Sequence, residues 1–431
     1  MKAYSEYKDS GVSGIEQLPK HWILEKIKFV ATCNDEVLSD TTADDEIINY
    51  VEIGDVDYVN GITNTTEYEF KEAPSRARRV TRPNDIIIST VRTYLKAIAK
   101  IAEPDLIVST GFAVIRPRKI DEIFMSYALL APTFIEEVMS RSFGVSYPAI
   151  KASSLMNIKI CIPPLSEQQA IASYLDAKTK PIDDIIAKRE KQIELLEEMK
   201  SAIISRAVTK GLNPEAQMKD SGIEWIGEVP EYWEVADLKR YAKISTGKTP
   251  STKIDEYFEN EEIVWFTPGD FPDCSIILND SSRKIDKRAI KASEAFLYPK
   301  NSVFLVGIGG TLGKIGIFEE EASCNQQINV IVCNSDIIKN YVAYYLYSKK
   351  EILKVYSNAA TLPILNQDKT GYIKIALPPL SEQQAIASYL DSETSKIDAR
   401  IAKRRKQIEL LQEYKQALIT AAVTGKIDVR E

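Results

Sequence analysis

A long stretch of this chain is written twice. The string PPLSEQQAIASYLD stands at Pro163–Asp176 and again, unchanged, at Pro378–Asp391. Aligned over 163–209 and 378–424, the copies agree at 34 of 47 positions, an internal repeat with an offset of 215 residues. A shorter lead-in motif precedes each copy. Lys8-Asp9-Ser10-Gly11 matches Lys219-Asp220-Ser221-Gly222, and Pro19 and Trp22 match Pro230 and Trp233. The order is therefore lead-in motif, variable region and helical repeat, given twice. The variable regions, 23–162 and 234–377, share only scattered short strings. Such a chain must build two similar frames around two unlike modules.

The repeated segment reads as helix. Ser166 is placed to cap it, with Gln169 three residues on completing a capping box and Leu165 as a staple. Pro163-Pro164 disfavours helix just before that point. Pro181 predicts an interruption near Lys178–Pro181, whereas the second copy has Lys396 there. Apolar residues then recur at steps of four and three: Ile182, Ile186, Arg189, Ile193, Leu196, Lys200, Ile203, Ala207. The second copy gives Ile397, Ile401, Arg404, Ile408, Leu411, Lys415, Leu418, Ala422. This is a coiled-coil seam with two charged positions. Gly211 and Gly425 stand where the helices should stop.

Two seams in one chain have a direct solution, which is to pack on each other. Near-identical units pair about a two-fold axis, giving an antiparallel pair with the end of the second helix near the first lead-in motif. The seam from Ile182 to Ala207 would span about 39 Å. In the variable regions, Asp85–Ser89, Leu106–Val108, Phe112–Ile115, Ser302–Val306, Ile315–Phe318 and Ile328–Val332 read as strands. Tyr127–Met139 and Tyr341–Val355 read as amphipathic helices. The expected fold is α/β of the α+β kind. It has two globular domains with short strands, two long antiparallel coiled-coil helices and a pseudo-two-fold internal repeat. The boundaries are 1–162 for the first domain, 163–212 for the central helical region, 213–377 for the second domain and 378–431 for the C-terminal helical region.

Composition narrows the chemistry. With 431 residues, 27% charged and 44% hydrophobic, the chain is an ordinary globular one, not a disordered or disulfide-held one. No apolar run is long enough to span a bilayer, and MKAYSEYKDSG lacks a signal-peptide core, so a cytoplasmic location is expected. Cys33, Cys161, Cys274, Cys324 and Cys333 form no CxxC pair and read as reduced thiols, mostly small buried hydrophobes. The single His21 excludes a multi-histidine metal site. Leu305–Phe318 resembles a phosphate loop but holds five residues between Gly307 and Gly313, with Ile315 in place of Ser or Thr. Gly247-Lys248-Thr249 follows Ala242 where the loop's first glycine belongs. The IPPLS and LPPLS strings lack the flanking residues of an adenine methyltransferase, and Glu103-Pro104-Asp105 lacks the nuclease D/E-x-K. No catalytic residue and no metal ligand is expected.

Two basic clusters stand out in a chain of formal charge -7. Lys71, Arg76, Arg78, Arg79, Arg82, Arg92 and Lys96 face only Glu72 and Asp85, with Thr90, Thr93 and Tyr94 interleaved. Arg283, Lys284, Lys287, Arg288, Lys291 and Lys300 face Asp286 and Glu294. Arginine suits guanine edges and phosphates, and Thr and backbone N–H groups suit phosphates. Gly309, Gly310 and Gly313 would let a ligand approach the backbone. A charged run is more often a solvated face, but two divergent basic domains on a fixed rod make a bipartite reader. At about 3.4 Å per base pair, the rod matches roughly 11 base pairs. The candidate DNA-contacting residues are Arg76, Arg78, Arg79, Arg92, Thr93, Tyr94 and Lys96 in the first region, and Lys248, Thr249, Arg283, Lys284, Gly310, Thr311 and Lys314 in the second.

LPPLSEQQAIASYLD followed by KIDARIAKRRKQIELLQEYKQALI resembles the specificity subunit of type I restriction-modification systems. The lead-in motifs KDSGVSGIEQLPKHW and KDSGIEWIGEVPEYW, with DIIISTVRTYLK, STGFAVIRP, GGTLGKIGI and CNQQINVIV, extend the likeness over nearly the whole chain. Gly14 departs from the pattern at the position of Trp225. The resemblance implies a non-catalytic subunit with two target-recognition domains, each reading half of an asymmetric double-stranded DNA site. It also implies helices that set the spacer and dock two methyltransferase subunits, which in turn hold two restriction subunits. S-adenosylmethionine, ATP and Mg2+ would be used by those partners, none by this chain. The rival readings are a two-domain protein-interaction scaffold and an enzyme with an unfamiliar site.

Overall fold

The computed structural model describes residues 2–12, 14–103, 106–260, 262–356 and 364–430. Pro104 and Asp105, from the Glu103-Pro104-Asp105 string, lie outside the described residues. The chain divides into two compact units, Met1–Arg189 with Arg405–Glu431, and Glu190–Arg404.

In the first unit the lead-in motif forms an antiparallel hairpin, Tyr7–Val12 with Ile15–Pro19. A four-stranded antiparallel sheet runs in the order Ile98–Lys100, Ile86–Ser89, Phe112–Pro117, Ala31–Cys33. A second runs Thr66–Glu69, Ile47–Val51, Leu106–Ser109, Ala77–Val80, with its middle pair parallel. The run Ile86-Ile87-Ile88 is apolar throughout because both faces of its strand are covered. Ile86 and Ile88 join one core with Ala113 and Ile115, while Ile87 joins the other with Phe112 and Val114. The second unit repeats the plan. Its four-stranded sheet is ordered Ala242–Thr246, Ile328–Cys333, Val303–Val306, Ile315–Ile317. Its three-stranded sheet is ordered Lys284–Ile285, Ile263–Phe266, Ser323–Cys324, and the last two are parallel. Val303 and Leu305 face one core, Phe304 and Val306 the other.

The short helices depart from expectation. The pattern over Tyr127–Met139 predicts one helix. Two form instead, Glu122–Leu130 and Pro132–Ser140, because Pro132 holds Ala131 extended and restarts the helix at its own first position. The helix expected over Tyr341–Val355 divides into Lys339–Ser348 and Lys350–Tyr356. The break falls at Lys349, which is buried and donates to the Trp225 carbonyl.

Both repeats are long helices, Leu165–Lys210 and Leu380–Val423, of 46 and 44 residues. The expected interruption at Pro181 is absent. Proline removes one backbone bond, but Pro181 and Ala177, whose carbonyl loses its partner, are both exposed to water. Buried Leu175 before and Ile182 after hold the helix in line. The start also differs, since the helix opens at Leu165, and the Pro164 carbonyl accepts from the amides of Glu167 and Gln168. Gln168, not the Ser166–Gln169 pair, ties the junction. It donates to the Pro163 carbonyl at 2.8 Å and accepts from the Asp121 amide at 2.8 Å. Gln383 does the same with Pro378 and the Ile338 amide.

The glutamate common to both repeats has partners in each lead-in motif. The Trp22 indole donates to Glu167 at 3.0 Å, His21 Nε2 lies 2.8 Å from the same carboxylate, and the Tyr4 hydroxyl bonds it too. Trp233 and Tyr232 donate to Glu382, each at 3.2 Å. Helix ends close the same junctions. A Cβ on Gly425 (φ +74) would meet Pro19 at 2.3 Å, and one on Gly211 (φ +72) would meet Glu382 at 2.9 Å and Trp233 at 3.2 Å. The end of the second helix thus lies at the first lead-in motif, as pseudo-symmetry requires.

Helix polarity follows within each unit. In the first, Glu167 and Gly425 flank Trp22, while Asp183 pairs with Lys415. In the second, Glu382 and Gly211 flank Trp233, while Asp398 pairs with Lys200. Ascending one helix descends the other, so the two run antiparallel in both units. Ile182, Ile186, Ile397, Ile401 and Leu418 are buried. Ile193, Leu196, Ile203, Ile408 and Leu411 are half-buried. Near its end the first helix buries Ile204 and Val208, against the core that holds Tyr341 and Ile375. Seam positions Lys200 and Lys415 each hold the carboxylate that the repeat places opposite it.

Candidate nucleic-acid interface

In the first unit, the strand Ile86–Ser89 leaves the sheet into a tight turn and returns as Ile98–Lys100. Arg92 (φ 51) and Lys96 (φ 52) sit at its corners in the left-handed region, which is costly for residues with a Cβ. The turn is pinned on three sides. Thr90 donates from N and Oγ1 to the Gly111 carbonyl at 2.8 Å, the Ile150 amide donates to Thr90 at 2.8 Å, and Thr93 N reaches the Pro148 carbonyl. The neighbouring Thr110 amide donates to the Arg76 carbonyl at 2.8 Å. Beside Gly111 lies the turn Ile53–Asp55, closed by a capping box between Glu52 and Asp55, and a Cβ on Gly111 would meet Ile53 at 2.6 Å.

The second unit builds the same frame. Gly309 (φ 97) and Gly313 (φ 88) occupy the corners of the turn between Val303–Val306 and Ile315–Ile317. Gly307 N donates to the Gln327 carbonyl at 2.8 Å, and Leu365 N to the Gly307 carbonyl at 2.8 Å. The turn Pro268–Asp270 carries the matching capping box, Thr267 with Asp270. Burial raises the Asp270 carboxyl, but hydrogen bonds from Ser282 and Thr267 outweigh it and hold the group below its ordinary value. In each unit, then, one edge collects three turns tied by matching backbone bonds, Thr90 to Gly111 and Ile150 to Thr90 in the first, Gly307 to Gln327 and Leu365 to Gly307 in the second. Arg92, Thr93, Tyr94 and Lys96 stand where the second unit has Gly309, Gly310, Thr311 and Gly313, and Gly111 stands where it has Gln327.

The frame sorts the candidate residues. In the first unit Arg76, Arg92, Tyr94 and Lys96 are exposed. The Arg92 guanidinium lies 5.2 Å over the Tyr147 ring, and the Lys96 ammonium 5.9 Å from that of Tyr58. Among the described residues none of these three cations has an ion-pair partner. Arg78 stacks on Phe70 at 4.9 Å and lies 3.8 Å from Asp40. The Arg79 Nε is buried without a hydrogen-bond partner. Thr93 is a correction: it is buried and its hydroxyl bonds Ser142 at 2.8 Å, so it braces the turn from inside. Arg82 and Arg116 are taken by Glu36 and, for Arg116, by buried Asp85. Bonds from Arg116 in turn hold Glu36 below the usual carboxylate range.

The basic run of the second unit is largely ion-paired. Lys284 pairs with Asp280, Lys287 with Glu262, and Arg288 with Asp286, Glu256 and Glu259. Lys314 pairs with Asp273 at 2.7 Å, Lys248 donates to the Ser293 carbonyl at 2.8 Å, and Thr249 bonds Gln326. These are solvated ion-paired faces. Arg283 remains: its guanidinium has no partner among the described residues, and it lines a cleft of about 590 Å³ with Trp265, Thr267, Gly309, Gly310, Thr311 and Gln327. That cleft, with Asn325 bonded to Gln327 at 3.0 Å, was not singled out from sequence. Nor was the loop Phe143–Tyr147 beside Arg92. Its signal was a carboxylate-free string, Arg141–Leu155, that places Phe, Val and Tyr around Gly144. Among the described residues, no cluster of three or more His, Cys, Asp or Glu side chains could hold a metal ion. No single described helix is long and apolar enough to cross a membrane.

This geometry meets known proteins at one place. The family model of the type I restriction modification DNA specificity domain matches residues 29–195 and 230–410. The type I restriction enzyme MjaVIII specificity subunit of Methanocaldococcus jannaschii is 31% identical over 330 residues, covering 72% of this chain and 71% of that protein. The MjaIX specificity subunit of the same organism is 28% identical over 452 residues, covering 99% of this chain and 98% of its relative. A solved chain of a type I R-M system shares the fold, with a TM-score of 0.68 at 22% identity over 95% of this chain and 99% of that one. Since the family model takes in most of both variable regions and of both long helices, the chain belongs to the family of type I restriction-modification DNA specificity subunits.

Proposed function

We propose that each unit reads one half of a bipartite, asymmetric site in double-stranded DNA. One observation carries this reading: the same three-turn frame occurs in both units, with different side chains at its corners. A shared frame gives each module the same approach to a duplex, and unlike side chains give each its own bases. The first unit offers Arg76, Arg92 and Lys96, which have no ion-pair partner among the described residues and suit phosphates and guanine edges. The second offers a polar cleft in which Arg283 and Gln327 stand beside the glycine backbone.

The chain works as the non-catalytic specificity subunit of a larger assembly. Two methyltransferase subunits dock on the long helices and bring S-adenosylmethionine chemistry to adenine. Two restriction subunits join through them and use ATP and Mg2+. Exposed Leu195 and Met199, with Leu410 and Tyr414 at the repeat-equivalent positions, offer apolar surface for that docking. The helices set the spacer between the half-sites. The recognition domains are 1–162 and 213–377, and the spacer regions 163–212 and 378–431.

Genome-wide mapping of N6-methyladenine, with and without this chain beside its methyltransferase subunit, tests the reading. The expected outcome is a two-part motif, methylated only when the chain is present. Methylation that is unchanged without the chain refutes it and favours the interaction scaffold.

A further inference from the structure

We propose that the Phe143–Tyr147 loop of the first unit is a wedge, pressing its apolar tip against the stacked bases of the first half-site and deforming the duplex there. This rests on the DNA-reading role given above and adds a mode of recognition to it.

The loop is unusual in what it leaves in water. Phe143 is 82% exposed, Val145 102% and Tyr147 66%. An apolar tip of this kind on an otherwise soluble face marks a contact surface. It is also held in shape. Phe143 and Ala149 exchange both backbone bonds at 2.9 Å, and Ala149 bridges to Val91 in the reading turn. Gly144 (φ 115) makes the bend, and a Cβ there would stand 3.0 Å from the Tyr147 carbonyl. A tip fixed before contact spends no ordering entropy on insertion, which is what a wedge requires.

The surroundings choose the occupant. Arg92 covers the Tyr147 ring at 5.2 Å, Lys96 closes the same turn, and no carboxylate occurs from Arg141 to Leu155. An apolar tip beside Arg92 and the Lys96 turn, two cations with no ion-pair partner among the described residues, fits a partner with an anionic skin over an apolar interior. Duplex DNA is that partner: the cations take phosphates while phenylalanine and valine meet the base stack.

The test uses the full chain assembled with its methyltransferase subunit, on a duplex carrying the mapped motif. Permanganate oxidation of thymines reports unstacking at each half-site. Thymines opposite the flipped target adenines should react in both half-sites, and the wild-type complex should show one further hyper-reactive thymine in the first half-site only. The F143A/V145S double variant changes only exposed side chains, so the frame should stand. It should lose that signal and bind about tenfold more weakly, with the salt slope unchanged because no phosphate contact is removed. An intact wild-type footprint with no thymine unstacked beyond those opposite the target adenines overturns the wedge while leaving the reading role in place. So does a variant with undiminished reactivity. Failure of the variant to assemble with the methyltransferase subunit in the absence of DNA overturns it in favour of a protein-docking loop. No sequence-selective binding by the wild-type complex overturns both claims.

Discussion

Asp398→Ala should destabilise the second unit well beyond what the repeat-equivalent Asp183→Ala does to the first. The two ion pairs have nearly the same geometry. Lys200 Nζ lies 2.7 and 2.8 Å from the Asp398 oxygens, and Lys415 Nζ lies 2.6 and 2.8 Å from those of Asp183. Distance alone predicts equal effects, but solvent access does not. The Lys200 side chain is 5% exposed and Asp398 42%, against 26% and 51% for Lys415 and Asp183. Removing Asp398 leaves an ammonium whose one remaining partner among the described residues is the Cys274 carbonyl, on a lysine side chain that is only 5% exposed. Breaking a fully buried pair in this way costs about 3–5 kcal/mol, and the half-open carboxylate lowers the expectation to about 2 kcal/mol. The Asp183 pair, more open to water, should be worth about 0.5 kcal/mol. Lys200→Met removes the charge together with its need for a partner and keeps the aliphatic stem, so it should stay within about 1 kcal/mol of the native chain. Hydrogen exchange read by mass spectrometry can follow 196–204 and 394–402 separately from 179–187 and 411–419. Equal loss of protection in the two single variants refutes the reasoning. A larger loss from Lys200→Met than from Asp398→Ala refutes it as well.

Arg92→Gly should raise stability by about 1 kcal/mol, because glycine takes the left-handed corner without strain, as Gly309 does in the other unit. The same change should weaken binding at the first half-site only, read by competition between half-site variants. Burial pushes the Cys33 thiol up to about 11 and that of Cys161 up to about 12. Alkylation in the folded chain at mildly alkaline pH should therefore run about a hundredfold slower than in the denatured chain for Cys33 and about a thousandfold slower for Cys161, measured by peptide mapping. Asp270 is held below its ordinary value of 3.8, so its contribution is full above that pH and is lost as pH falls through the lower folded value. Exchange of the Thr267–Asp270 amides should rise in that acid window, and Asp270→Ala should abolish the step.

Much of this architecture lies in the order of residues, because it depends on neighbours along the chain. The duplicated PPLSEQQ segment announces two frames. The four-three spacing of Ile182, Ile186 and their successors announces paired helices, and the β-branched runs at 86–89 and 328–333 announce strands. Periodicity is a local property of backbone geometry, so a linear reading captures it. The positions of Gly211 and Gly425 were equally legible, since left-handed helix ends select glycine.

What only the tertiary structure decided is which charges remain unspent. Lys287, Arg288 and Lys314 looked like a phosphate-binding face until Glu262, Glu256, Glu259 and Asp273 folded against them from distant segments. Arg92 and Lys96 met no such carboxylate among the described residues. Pro181 was tolerated for the same kind of reason, because packing on both sides and water at the freed carbonyl outweighed a local preference. Ion pairing and burial act through space and fall off within a few ångströms, whereas the chain orders its residues only along its own length.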